Sequence, residues 1–400
     1  MTAELDTSVT TRAVFLIGGY ERNDARRFFA RIAKELQRFA ACWTVRAEIS
    51  DPTFDDAGHM ATARISYGDG AASCQTDFTF LSFDDIVKKD GARPFVVRLA
   101  VYLAGFFDYI FSGTMFRFFA ANWRFALYFL YPFASLCFFA FVGWMVYRLT
   151  ALLGLPGGPI IPALLGIAAA VGVGRYLGQR YFVFHLMDLW SFSREHLRGR
   201  RQDIEAHYSL WAERIADRIA ANRYDEALLV GHSTGGALIL DLAAILAEKL
   251  RQEGRPVDFS LMTVGSTSLK VALHSAAKKA RRRLASLADY PDIRWTEFQA
   301  LTDIINFYKC DPYRMAGLRH ERGDAFPKLH QVRFKGMLDA KQYKRIKRNF
   351  FRVHYQFISA NNRQYFYDFF MITCGPRPLS AVSEKSKPGG VAGAGCREVA

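Results

Sequence analysis

The chain is 400 residues long, 51% hydrophobic, rich in Phe (35 residues) and basic, with a formal net charge of +15. That length supplies ample material to bury a core in one large domain or two smaller ones. The charge invites a nucleic-acid reading, but no RNA- or DNA-binding signature accompanies it, so no nucleic-acid partner is expected.

In chain order, the N-terminal stretch MTAELDTSVTTRAVF has no basic leader joined to an apolar run and a small-residue cleavage site, and no removable secretory signal is expected. Residues 13–19, AVFLIGG, read as an apolar strand ending in paired glycines. The RNDARRFFARIAKELQRFA that follows sets Phe28, Ile32, Leu36 and Phe39 at helical spacing, which completes a strand, loop and helix unit. WTVRAEI (43–49), ATARISY (61–67) and DFTFLSF (77–83) predict further strands. The aromatic stretch 94–123 is largely apolar yet carries Arg98, Asp108 and Arg117. It predicts an interfacial or re-entrant helix pair, or a buried lid-type helix, rather than a membrane span.

Residues 125–147 then carry no charge over a length that crosses a bilayer as a helix. A second uncharged stretch, 149–174, has the breaker cluster Leu155-Pro156-Gly157-Gly158-Pro159 near its start. Together they predict a two-helix transmembrane hairpin with the cluster in its turn. Arg117 and Arg124 precede the hairpin, Arg175, Arg180, Arg194, Arg198, Arg200 and Arg201 follow it, and only Arg148 lies between the helices. By the positive-inside tendency both large polar segments lie in the cytoplasm, where an anionic membrane leaflet is the expected partner of the basic charge. The six cysteines are scattered without paired metal-ligand spacing, as free thiols in a reducing compartment would be.

Past the hairpin, residues 199–222 predict a helix, EALLV (226–230) a buried strand and GALILDLAAILAEKL an amphipathic helix. FSLMTVGSTSL (259–269) reads as a strand reaching Gly265, DIRWTEFQALTD (292–303) as a strand reaching Asp303, and HQVRFKG (330–336) as the last strand. Strands alternating with helices predict the α/β class, a mostly parallel sheet with helices on both faces, interrupted by the hairpin. The basic runs 278–283 and 341–352 are candidates for seating the domain on anionic headgroups, and the first reads equally well as a solvated helix face. The tail from Leu379 is poor in large apolar groups and is expected to be disordered. The expected segments are thus 1–93, 94–124, 125–175, 176–378 and the tail 379–400. Nothing in the pattern sets an oligomeric state.

Gly231-His232-Ser233-Thr234-Gly235 fits the nucleophile-elbow pattern G-x-S-x-G, between a strand and a helix as that turn requires. The elbow glycines Gly231 and Gly235 let two backbone segments pass close together, and the helix start presents N–H groups to a developing oxyanion. On AVFLIGGY, VGHSTGG, TVGS (263–266), RWTEFQALTDIIN and RVHYQFISAN the chain resembles the α/β-hydrolase superfamily, within it the lipase and esterase branch, over residues 10–90 and 200–375. The resemblance implies the chain order Ser, acid, His, with Ser233 as nucleophile. Asp303 lies where the superfamily has its acid, with Asp311 next best. His354 is the expected base, ahead of His330 in a strand and His320 in a charged loop. Thr234 N–H and a second donor from Gly19 or Tyr20 would form the oxyanion hole, although Gly18-Gly19-Tyr20 stands where the superfamily often has His-Gly. His232 is expected to pack beside the elbow without acting.

The expectation is therefore a membrane-anchored serine hydrolase that cleaves a carboxylic ester or thioester, of a lipid or other hydrophobic substrate, through an acyl-enzyme. Such chemistry requires no metal or organic cofactor. An acyltransferase with the same three residues and a non-catalytic membrane scaffold are the alternatives.

Overall fold

A computed structural model describes residues 8–55, 58–154 and 158–382. Residues 1–7, positions 155–157 of the expected hairpin turn and the tail beyond 382 lie outside the described residues.

The chain opens with β1 (Thr11–Ile17), apolar along almost its whole length and buried on both faces, as a central parallel strand must be. Asp24 then caps α1 (Ala25–Trp43) by accepting from Arg27 N–H. One apolar face of α1 is buried, and Phe28 stacks on Phe80 at 4.0 Å between ring centroids. The expected strand from position 43 starts later, because Trp43 still belongs to α1 and Thr44 closes that helix in the left-handed region (φ 56°). The strands that follow are β2 (Arg46–Ile49), β3 (Thr53–Phe54), β4 (Met60–Gly68) and β5 (Ser73–Leu81), then α2 (Asp84–Ala92). The two-residue β3 had no signature, and β5 begins four residues before the expected 77.

Two compact units divide the chain, one made of 1–87 with 201–400 and the other of 88–200. The second unit takes in residues 176–200, a stretch expected to belong with the α/β part.

The 88–200 unit is helical: α3 (Phe95–Phe111), α4 (Thr114–Ala121), α5 (Trp123–Ala151), α6 (Ile160–Arg180) and α7 (Val183–Leu197). Helices α5 and α6 are long and apolar enough to cross a membrane. Their outward side chains are apolar, among them Leu149, Ile160, Leu164, Ile167 and Val171, which water would disfavour and hydrocarbon would not. The two helices approach at small residues. A Cβ on Gly143 would lie 2.7 Å from Gly166 O and 2.8 Å from Ala170 Cβ, so only glycine permits this spacing. Two of the charges in 94–123 find partners on α7: Arg98 binds Asp188 through two hydrogen bonds, and Asp108 receives both Arg194 and Arg198. Trp190 of α7 fills the aromatic cluster beside them, 4.9 Å from Phe129.

The α/β unit resumes with α8 (Gln202–Ala221), β6 (Glu226–His232), α9 (Gly235–Gln252), β7 (Ser260–Val264), α10 (Leu269–Ala272), α11 (Lys278–Ser286) and β8 (Arg294–Ala300). It ends with α12 (Pro312–Met315), β9 (Lys328–Val332), α13 (Phe334–Met337), α14 (Ala340–Ile346), α15 (Phe350–Tyr355) and α16 (Phe369–Cys374). The last strand stops at Val332, not 336, because Phe334 already opens a helical turn. Residues 379–381 of the expected tail form a 3-10 turn with Leu379 buried.

Among the described residues, nine strands form one mostly parallel sheet in the order β2-β4-β5-β1-β6-β7-β8-β9, with β3 paired to β4. From β5 to β9 every pairing is parallel, and β2, β3 and β4 join the β5 edge antiparallel. The first connection runs from β1 towards one edge, while the chain from β6 onward builds the other. The β1/β6 boundary is therefore the switch point at which parallel sheets open a crevice beyond their carboxyl ends.

Gly143→Val is expected to force α5 and α6 apart and to lower the thermal midpoint of the detergent-solubilised protein, at a cost of about 1–3 kcal/mol. Gly172→Val is the control, since a Cβ there meets nothing within 4 Å; equal midpoints for the two variants would contradict this packing.

Candidate active site

The register pairs Ile17 at the end of β1 with Gly231 near the end of β6, so the loops leaving both strands emerge together. A Cβ on Gly19 would stand 3.3 Å from Ser233 Cβ and 3.5 Å from its Oγ, which puts the Gly19 backbone against the serine hydroxyl. Ser233 adopts φ 60°, a left-handed conformation that costs a residue with a side chain about 1–3 kcal/mol. Three backbone hydrogen bonds hold it there. Its N–H donates to Val264 O (3.3 Å), and its carbonyl accepts from Gly236 (3.0 Å) and Thr267 (3.1 Å).

The flanking glycines have a steric reason. A side chain on Gly231 would meet Ile239 and lie 2.6 Å from Gly235 O, and one on Gly235 would run into the carbonyls of Ile17 and Gly18. Thr234 caps α9, so its N–H lies at the positive end of an 18-residue helix. Among the described residues, neither the Thr234 nor the Gly19 N–H donates to a protein acceptor. Tyr20 is buried, its ring 6.4 Å from that of Phe83.

The structure brings Asp303 and His354 together. Asp303 Oδ2 is 2.7 Å from His354 Nδ1, both side chains being buried, and Oδ1 accepts from Ile305 N–H at 2.9 Å. A carboxylate opposite Nδ1 makes that nitrogen the donor and leaves the lone pair on Nε2. Among the described residues, the buried His354 Nε2 has no hydrogen-bond partner. His354 sits at the tip of β7, where a Cβ on Gly265 would lie 3.1 Å from its Cε1. The residue before that glycine is Val264, whose carbonyl holds Ser233 N–H. Ser233 and His354 thus occupy the same strand end.

His232 does more than pack beside the elbow. Its ring centroid is 4.6 Å from that of His354, and Nε2–H donates to the His354 carbonyl (3.2 Å). Burial, then the neighbouring His354, hold its pKa well below the ordinary value, so it is a neutral donor. Lys270 is also buried, and its Nζ donates to Thr234 Oγ1 at 2.8 Å; burial pushes its ammonium down to about 7. Glu21, on the loop after Gly19–Tyr20, has its carboxyl raised by burial and lies within electrostatic reach of Arg31 and His354. Asn306 staples the loop that carries Asp303: its side chain donates to the carbonyls of Ala300 and Asp303 and accepts from Ala300 N–H.

The alternatives are engaged elsewhere. Asp311 caps α12 by accepting from Tyr313 and Arg314 N–H. His330 stacks on Phe298 at 5.3 Å, and His320 packs edge-on against Tyr313 at 4.7 Å. Sequence reasoning missed Lys270, Glu21 and Asn306, which carry no motif. Chemically, the arrangement offers a hydroxyl on a fixed elbow with the Gly19 backbone against it, and an imidazole oriented by a carboxylate at its Nδ1.

Because Ser233 holds a left-handed φ, Ser233→Gly is expected to unfold at higher denaturant than Ser233→Ala, by about 1 kcal/mol. Both lose the hydroxyl, so the comparison isolates the φ preference, and an equal midpoint would deny the strain. Lys270 sets a pH dependence. The unfolded chain keeps this proton up to about pH 10.5 and the folded chain releases it near 7, so this group's contribution to stability rises with pH across that window. Lys270→Met is expected to raise the thermal midpoint at pH 7 and to converge on wild type towards pH 10.

No protein-family model matches the chain, and no curated protein and no solved structure matches it.

Proposed function

We propose that the protein is a membrane-anchored serine hydrolase of the α/β-hydrolase kind, acting on a carboxylic ester or thioester of a lipid or similarly hydrophobic substrate. The observation that carries this reading is the Asp303–His354 hydrogen bond, formed at the strand end where Ser233 stands on a left-handed turn. The order Ser, acid, His along the chain agrees with the resemblance, as do the parallel sheet and the elbow between β6 and α9.

In the proposed mechanism Ser233 Oγ attacks the substrate carbonyl while its proton passes to His354 Nε2. Asp303 holds the imidazole in the required tautomer and stabilises the imidazolium. The tetrahedral oxyanion is met by Thr234 N–H and by Gly19 or Tyr20 N–H, at the N-terminal end of the α9 dipole. The alcohol or thiol leaves with the proton from His354. Water, deprotonated by the same Nε2, then releases the acid and regenerates Ser233. Lys270 fixes the Thr234 side chain, and His232 fixes the backbone that carries the base; both act as positioning residues.

The apolar α5–α6 pair supports a substrate drawn from the bilayer. The basic flanks support a cytoplasmic site on an anionic leaflet.

Detergent-solubilised wild type is expected to label with a fluorophosphonate probe. Labelling should vanish in Ser233→Ala, and in Asp303→Asn its rate should fall roughly 10²- to 10⁴-fold through loss of the correct tautomer. A folded wild type that does not label would leave a scaffold carrying this fold. Transfer of the acyl group to an added alcohol in preference to water would make the enzyme an acyltransferase.

A further inference from the structure

Away from the Ser233 site, three side chains from distant parts of the α/β unit converge. His59 lies just before β4, Asp85 in the first turn of α2 and His207 in the second turn of α8. His207 Nε2 is 3.3 Å from His59 Nδ1 and 3.4 Å from Asp85 Oδ1, and His59 Nδ1 is 4.0 Å from Asp85 Oδ1. We propose that His59 Nδ1, His207 Nε2 and Asp85 Oδ1 form a zinc site, with water as the fourth ligand.

Geometry is the first argument. A tetrahedral zinc ion with bonds of about 2.0–2.1 Å keeps its ligand atoms about 3.3–3.4 Å apart. Two of the three separations have this value; the third, His59 Nδ1 to Asp85 Oδ1 at 4.0 Å, is wider, and a rotation of the half-exposed Asp85 carboxylate closes it around the ion. An octahedral ion with right-angled ligands would draw them to about 3 Å. Magnesium and calcium prefer oxygen over two imidazoles.

The second argument is the complement of donors. His207 Nδ1 faces the Asp203 carbonyl at 3.3 Å, and a carbonyl only accepts, so the proton sits on Nδ1 and Nε2 turns a bare lone pair towards the cluster. Asp85 turns a carboxylate oxygen to the same point. One proton on His59 Nδ1 cannot satisfy both, whereas a cation satisfies all three. The His207 ring is held for this purpose, 4.2 Å from the His59 ring and 5.3 Å from Trp211, one helical turn further along α8.

Access is the third. The side chains of His207, His59 and Asp85 are 7%, 28% and 48% exposed, so the site is closed behind His207 and open to solvent beside Asp85. The position suggests a role. Asp85 lies just before the chain leaves the α/β unit at Val87, and His207 just after it returns at Arg201. The ion would clamp exit to re-entry, independently of any chemistry at Ser233.

The test uses the full-length protein in detergent, purified through a tag without histidine, stripped with chelator and titrated with zinc against a chromogenic competitor. One zinc per chain is expected, with a rise in thermal midpoint on binding. His59→Ala and Asp85→Asn, both at partly exposed positions, should weaken binding at least tenfold, and His207→Ala about 100-fold. Circular dichroism checks that each variant folds. If buried His207→Ala fails that check, the other two decide. A wild type that holds well under one equivalent, or wild-type affinity in both His59→Ala and Asp85→Asn, overturns the site.

Discussion

Everything at the carboxyl edge of the sheet depends on one backbone approach, that of Gly235 against the carbonyls of Ile17 and Gly18. With no Cβ between them, the first turn of α9 sits directly on the loop leaving β1. That contact brings the Gly19 backbone beside the Ser233 hydroxyl, and it lets the positive end of α9 face the same point. The left-handed turn at Ser233 is the geometric cost, met by a hydrogen bond donated to the Val264 carbonyl and two accepted from Gly236 and Thr267 N–H. A larger residue at 235 would separate β1 from the elbow and disperse these groups, even with every polar side chain intact.

The same edge shows how far position can be separated from chemistry. His354 is held from two directions, by a carboxylate on its Nδ1 and by His232 on its carbonyl. Asn306 in turn holds the loop of Asp303. The imidazole is thus fixed through its ring and through its backbone. Two of these supports, His232 and Asn306, act through the backbone, so the ring is positioned by groups that do not themselves contact it through Nδ1 or Nε2.

The sequence made legible what is local. The period of α1, the apolar runs of β1 and β6, and the glycines around Ser233 all state their structure within a few residues. Asp303 and His354 were legible only through the chain order that the resemblance supplied, since they meet across 51 positions. What stayed hidden is what folding joins without a pattern. The charges of the aromatic stretch looked like evidence for an interfacial segment. Arg98 and Asp108 pair with α7, 86 to 90 residues away, and a single sequence offers no sign of that partner. His59, Asp85 and His207 carry no shared pattern in the sequence for the same reason. Boundaries failed where a tertiary contact overrode propensity: Trp43 continues α1 because it reaches Asp368 through its indole N–H, and Phe334 ends the last strand to pack on Phe357.

The position of the 88–200 segment has an architectural consequence. Within the α/β unit the chain leaves after β5 and returns at α8, and Asp85 and His207 show that these two points are side-chain neighbours. Joined directly, β5, α8 and β6 read as an ordinary parallel crossover, complete without the intervening helices. The helical segment is therefore an insertion in the strict topological sense, placed in a connection and not in the sheet. Its length and apolarity are free to change without altering a single strand register, so the long apolar helices and the sheet can vary as separate modules.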